Sequence, residues 1–84
     1  MRVAGVSRGT DVAREIGRQL AELPACPAGT LPVFVSVSSG VRMLGFADDH
    51  RTAALLGVAE GISCERVSRA RVGDDPRTFY VLHA

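Results

Sequence analysis

The most apolar segment of the chain is LPVFVSVSSGVRMLGF, residues 31–46, and it has a turn signal at its centre. β-Branched and aromatic residues dominate positions 33–37, which favours a pleated and largely buried strand. The triplet SSG at 38–40 supplies turn chemistry, because its glycine tolerates a positive φ angle. Apolar residues resume at Val41. The pattern therefore predicts a β-hairpin over residues 33–46 at the centre of a small sheet.

An amphipathic helix is predicted before this hairpin. Its apolar residues recur at helical spacing and form one stripe, consisting of Val12, Ile16, Leu20 and Leu23. Thr10 suits the N-cap position, Asp11 suits the positive end of the helix dipole, and Pro24 ends the helix.

A second helix is predicted after the hairpin. The five polar residues at 48–52 argue against one long helix over residues 41–60, because such a helix would carry them across its buried face. Asp48 is the predicted N-cap, Gly57 weakens the helix, and Gly61 suits the C′ position. The predicted inward stripe consists of Thr52, Leu55, Leu56 and Ala59.

The last third of the chain predicts a second hairpin. Apolar and polar residues alternate over 62–72, GDDP at 73–76 is turn material, and residues 77–83 are rich in strand formers. If Val72 pairs with Arg77 across a four-residue loop, the register pairs Ser68 with Val81, Arg69 with Tyr80, Ala70 with Phe79 and Arg71 with Thr78.

These elements predict one small α+β domain over residues 1–84, in the order (β)α-ββ-α-ββ. Both helices are predicted to pack on one face of a mostly antiparallel sheet. The bracketed strand is a short one at residues 1–6. The predicted core consists of Val12, Ile16, Leu20, Leu23, Val35, Val37, Leu55, Leu56, Ala59, Ala70, Phe79 and Val81.

An alternative order arises if residues 2–6 form a true strand and residues 41–60 form one helix. The order is then βαβαββ, which resembles the Alba-like fold of small chromatin and sporulation proteins. Residues 3–20, with Val6 and Ser7 ahead of a helix that contains the DVA triplet at 11–13, are similar to the sporulation branch. The resemblance implies a nucleic-acid-binding dimer, although this chain lacks the lysines of that branch.

Composition narrows the classes of function. Apolar residues make up 46% of the chain, too many for a disordered protein, and the net charge of +1 predicts no general attraction to nucleic acid or acidic membranes. All ten basic residues are arginine, which favours codon bias in a GC-rich, bacterial genome. Cys26 and Cys64 lie far apart, and no signal peptide or membrane span is evident. We therefore expect a reduced, cytoplasmic protein.

Catalytic and metal-binding residue types occur without their usual sequence context. His50 with Asp48 or Asp49 and with Ser38 or Ser39 supplies the residue types of a nucleophilic triad. The sequence has no nucleophile-elbow motif and no evident oxyanion loop to go with them. Zinc ligands normally come in close pairs, whereas the soft ligands here stand singly, at Cys26, His50, Cys64 and His83. We expect no metal or cofactor. A small oligomeric enzyme or small-molecule binder with a site near His50 is an alternative to a non-enzymatic protein.

The predicted binding surface lies on the C-terminal hairpin and consists of Arg69, Arg71, Arg77 and Tyr80, with Arg66 nearby. Arg69 lies across from Tyr80 in the predicted register, so that a guanidinium and an exposed ring form one plate. Such a plate suits nucleic acid or an acidic protein. An unpaired sheet edge also predicts a homodimer. We therefore predict a small non-enzymatic module that binds a protein or nucleic acid through this hairpin.

Overall fold

A computed structural model describes residues 8–37 and 40–83 of the chain. The elements in chain order are α1 (Arg8–Glu22), β1 (Leu31–Val37), β2 (Gly40–Ala47), α2 (His50–Ala59), β3 (Arg66–Ala70) and β4 (Phe79–His83). The four strands form one mixed sheet in the order β2-β1-β4-β3. Each hairpin is antiparallel, and the inner strands β1 and β4 pair in parallel. The class is therefore α+β, as predicted.

The first hairpin confirms the prediction for residues 33–46, since residues 40–47 are a strand rather than the start of a helix. Its register shifts after Val33, where Leu44 is the extra residue of a β-bulge and Gly45 has a φ angle of +154°. The helix that the Alba-like order needs at 41–60 does not fit this strand. The first strand of that order lies outside the described residues, so the alternative as a whole stays a prediction.

The two helices pack on opposite faces of the sheet, so the prediction of one shared face is wrong. Helix α1 packs against Phe34 of β1, whereas α2 packs against Val33 and Val35. Side chains alternate along a strand, and all three of these consecutive residues are buried. A strand that is apolar on both sides needs a cover on both sides, and one helix supplies each cover.

The core therefore has two layers, which changes the list of buried residues. Four predicted core residues are fully buried, namely Ile16, Leu20, Val35 and Phe79. Three are exposed instead, namely Val37, Leu55 and Ala59. The buried residues that the sequence prediction missed are Val33, Phe34, Ala47, Ala53, Tyr80 and Leu82.

Helix α1 closely follows its predicted pattern. It begins at Arg8, two residues before the predicted N-cap Thr10, and it ends just before Pro24 as predicted. Its apolar stripe contacts the sheet, with Ile16 and Leu20 buried. The stripe is continuous because these residues fall one turn apart.

Helix α2 is rotated relative to its predicted stripe. Its buried residues are Ala53 and Gly57, while Leu55 and Val58 are 59% and 66% exposed. A Cβ atom placed on Gly57 would lie 2.7 Å from the Cδ1 atom of Leu82. Small residues therefore let the backbone of α2 approach the sheet closely, and the glycine that we expected only to weaken the helix makes this contact possible.

The ends of α2 have well-defined caps. Asp49, rather than the predicted Asp48, is the N-cap, and its carboxylate accepts a hydrogen bond from the Thr52 backbone N–H at 2.7 Å. This bond is the main cause of the lowered pKa of Asp49. Gly61 has a φ angle of +75° and ends the helix in a Schellman motif, which confirms its predicted C′ position. Within residues 8–37 and 40–83, neither helix is long and apolar enough to cross a membrane.

Candidate functional site

The second hairpin has the predicted register over its described pairs. Ser68 pairs with Val81, Arg69 with Tyr80 and Ala70 with Phe79. The predicted pair of Arg71 with Thr78 is wrong, because both residues lie in the loop at 71–78, beyond the ends of the two strands. Arg69 and Tyr80 are therefore cross-strand neighbours, and their side chains leave the sheet on the same face.

Tyr80 is nevertheless buried, so the predicted exposed aromatic plate is wrong. The residue is only 3% exposed and packs with Val33 and Leu82 beneath α2. Its ring meets the His50 ring edge-on, with 5.0 Å between the ring centroids. The reason is topological, because β4 lies between β1 and β3 and is covered on both faces. Tyr80 therefore supports the start of α2 rather than a ligand.

Arg77 is held by an ion pair and by the end of a helix. Its Nε and Nη2 atoms donate to the Asp75 carboxylate at 3.0 and 2.6 Å, and Nη1 donates to the Leu20 carbonyl of α1 at 2.5 Å. The two side-chain bonds to Asp75, together with one from the Arg77 backbone N–H, lower the pKa of Asp75 to about 2. The Leu20 carbonyl also accepts from the Leu23 backbone N–H at 3.1 Å, so Arg77 adds a second donor to this end of α1 and fixes the β3–β4 loop against the helix.

The remaining arginines of the hairpin form an exposed row, which we call the β3 arginine edge and which consists of Arg66, Arg69 and Arg71. Among the described residues, β3 pairs only with β4, so its other side faces away from the sheet. By strand alternation, Arg69 lies on the α2 side together with Val67, whereas Arg66 lies on the α1 side. Among the residues that the structure describes, neither Arg69 nor Arg71 takes part in an ion pair.

Arg66 takes part in a short polar chain on the α1 side of the hairpin. Its Nη1 atom donates to Ser68 Oγ at 2.9 Å, and Oγ lies 2.8 Å from His83 Nε2. Burial and the charge of Arg66 lower the pKa of His83, which favours the neutral ring at pH 7. The tautomer of that ring decides whether Nε2 accepts from the Ser68 hydroxyl or donates to it. The predicted register pairs Ser68 with Val81, and His83 follows two residues later on the same face of the strand. The register therefore already indicates that Ser68 and His83 are diagonal neighbours.

Only part of the residue set of a nucleophilic triad near His50 lies among the described residues, so the alternative of an enzyme or small-molecule site there stays a prediction. The Asp49 carboxylate caps α2, and the His50 ring contacts Tyr80. Ser38 and Ser39 fall outside the described residues. Within those residues, no group of three His, Cys, Asp or Glu side chains is placed to hold a metal ion.

A pocket of about 480 Å³ lies at the C-terminal end of α1, and the sequence analysis did not predict it. Its walls come from the end of α1, the loop before β1, the start of β1 and the loop before β4. Cys26 is half-buried and lines this pocket together with Arg77. No local motif marks the pocket, because residues 20–32 form its walls only together with residues 76–78, which lie far away in the sequence.

Comparisons with protein-family models, with curated proteins and with solved structures found no significant match to this chain. Two features of the described residues therefore bear on function. One is the β3 arginine edge, and the other is the pocket at the end of α1.

Proposed function

We propose that this protein is a non-enzymatic binding module that engages an acidic segment of a partner protein along the β3 arginine edge. The observation that supports this proposal is an edge strand with exposed guanidinium groups on both of its faces. An edge strand offers backbone donors and acceptors to an added strand, which provides affinity. Arginine pairs with carboxylates in a bidentate geometry, which provides selectivity for Asp and Glu.

An acidic protein segment fits this surface better than a nucleic acid does. Proteins that hold single-stranded nucleic acid stack its bases on exposed rings, whereas the Tyr80 ring is buried. Arg77 is already paired with Asp75 at 2.6 Å. The net charge of +1 adds little general attraction for a phosphate backbone. A strand with acidic residues at successive positions would meet Arg66 on one face of the sheet and Arg69 on the other.

We also propose that the protein forms a homodimer and is cytoplasmic, as the sequence predicts. Pairing of two β3 strands would bring arginines of the two copies together, and like charges across a strand pair are destabilising. We therefore assign self-association to the opposite edge, β2. The β3 edge then stays open to the partner.

The test is a titration of the full chain by fluorescence anisotropy. The probes are a short labelled peptide with glutamate at successive positions, its lysine counterpart, and a labelled single-stranded oligonucleotide. We expect the glutamate peptide alone to bind, with affinity that falls as salt rises. Replacing Arg69 and Arg71 by glutamine should weaken its binding by about tenfold or more.

The matched control removes two positive charges elsewhere, through Arg14→Gln and Arg51→Gln, both at exposed positions and neither in an ion pair among the described residues. This variant should bind the glutamate peptide as the wild type does. Equal losses in both variants would indicate general charge attraction and contradict the proposal. If the protein binds the oligonucleotide but not the glutamate peptide, its ligand is a nucleic acid and the proposal is wrong.

A further inference from the structure

The pocket at the end of α1 has the size and lining of a small-molecule site. Its volume of about 480 Å³ falls within the usual range of roughly 300–1,000 Å³. Most of its wall is aliphatic, formed by Leu20, Leu23, Pro24, Leu31, Pro32 and Pro76. Such sites typically combine an apolar wall with a few polar groups that orient the ligand.

Arg77 supplies the strongest polar group of this pocket. A guanidinium has five N–H donors, and Arg77 directs one from Nε, one from Nη1 and one from Nη2 to Asp75 and Leu20. One N–H on each terminal nitrogen remains for a ligand. By contrast, the Thr30 hydroxyl in the same wall already donates to the Pro27 carbonyl at 2.7 Å.

The charge of Arg77 is balanced inside its own loop. The Asp75 carboxylate lies 2.6 Å from Nη2, and its pKa of about 2 keeps it ionised at neutral pH. A ligand carboxylate on the same guanidinium would lie close to a second negative charge and be repelled. A neutral carbonyl oxygen accepts the same hydrogen bonds without that penalty.

We propose that this pocket binds an uncharged small molecule that has an aliphatic body and one carbonyl group, the class to which fatty amides belong. The carbonyl oxygen accepts from the remaining N–H groups of Arg77, and the hydrocarbon lies against Leu23, Leu31 and Pro76. This site is independent of the β3 arginine edge, since none of that row lines the pocket. The Cys26 thiol lies in the wall and reports occupancy.

The first test compares octanamide with octanoate, which share a chain length and differ in charge. Each is titrated into the full protein, and the backbone amide signals of Leu31 and Thr78 are followed by NMR. We expect saturable shifts with octanamide and at least about tenfold weaker binding of octanoate. Absence of shifts with octanamide would overturn the site. Binding of octanoate that is equal or tighter would overturn the preference for an uncharged ligand.

The second test uses two alanines of the same exposed loop, of which only Ala25 lines the pocket. Ala25→Phe should fill the pocket and weaken octanamide binding by about tenfold, whereas Ala28→Phe should leave it unchanged. Octanamide should also slow alkylation of Cys26 by N-ethylmaleimide without changing the rate at Cys64, which lies outside the pocket. The proposal would be contradicted if the two phenylalanine variants lost octanamide binding equally. It would also be contradicted if octanamide slowed alkylation of both cysteines by the same factor.

Discussion

The two helices cover the two faces of the sheet by different means. Helix α1 inserts the large side chains of Ile16 and Leu20 against an edge-to-face pair of phenylalanine rings, whose centroids are 5.6 Å apart. Helix α2 presents the small residues Ala53 and Gly57 and brings its backbone close to the sheet. A helix that packs through large side chains is therefore evident in its sequence, whereas one that packs through small residues is easily assigned the wrong face.

The largest expected difference between the two helices concerns their leucines. Leu20 of α1 is 1% exposed, whereas Leu55 of α2 is 59% exposed. Leu20→Ala should lower the free energy of unfolding by about 2–5 kcal/mol, because it leaves a cavity between α1 and the sheet. Leu55→Ala should change it by no more than about 0.5 kcal/mol. Urea unfolding of the two variants measures both values.

A large loss for Leu55→Ala in this experiment would contradict the rotation of α2. It would restore the sequence prediction, in which Leu55 faces the sheet. A small loss for Leu20→Ala would instead mean that α1 is not docked as described. The comparison is internally matched, because both changes remove the same atoms from a helix.

The second expected difference concerns the two helix glycines. Gly57→Ala adds a methyl group 2.7 Å from Leu82 Cδ1, where the buried leucine has little room to move. Overpacking of about 1–3 kcal/mol opposes a gain in helix propensity of about 1 kcal/mol, so we expect a net loss of up to about 2 kcal/mol.

Gly17 of α1 is the matched control for this change. A Cβ atom there would lie 3.6 Å from Val72 Cγ1, which is an ordinary contact. Gly17→Ala should therefore raise stability by up to about 1 kcal/mol through helix propensity alone. Thermal unfolding should show opposite shifts in Tm for the two variants, and shifts of the same sign would disprove the close approach of α2.

Much of the fold follows from patterns that act over short distances. The SSG triplet at 38–40, the polar block at 48–52 and the GDDP segment at 73–76 mark in the sequence where the strands of the two hairpins end. A loop centred on GDDP predicts the register of Arg69 with Tyr80, which the structure shows, although the observed loop spans residues 71–78 rather than four residues. The parallel pairing of β1 with β4 was not predicted, because no local pattern specifies which strands of separate hairpins become neighbours. That pairing makes both strands central, and it is the reason that Tyr80 is buried.

The candidate sites differ in how far the sequence predicts them. Exposure of Arg69 follows from its place on an edge strand, and Arg71 lies exposed just beyond the end of that strand; both residues belong to the surface predicted from the sequence. The role of Arg77 was not predictable in this way, since its partner in α1 lies 57 residues earlier in the chain. The pocket depends on the same long-range contact. It therefore needed the three-dimensional arrangement of α1, β1 and the β3–β4 loop.

The smallest expected difference concerns how the two helices end. Helix α2 is closed by its own Gly61, whereas the end of α1 is bound by Arg77, which Asp75 orients. The pKa of Asp75 is lowered from 3.8 to about 2 in the folded protein. Its contribution to stability is therefore fully present above about pH 3.8 and is lost as the pH falls towards 2.

Asp75→Asn should consequently lower the Tm at neutral pH, and its difference from the wild type should shrink as the pH falls through this window. Asp74→Asn is the matched control. The Asp74 carboxylate is next to Asp75 in the chain, but it is exposed and forms no ion pair among the described residues. Its effect on the Tm should not vary in the same way with pH. Thermal unfolding of both variants and the wild type across acid pH measures these differences. A constant difference for Asp75→Asn would mean that the Arg77 contact with α1 does not depend on Asp75, and the two helix ends would then be equally self-sufficient.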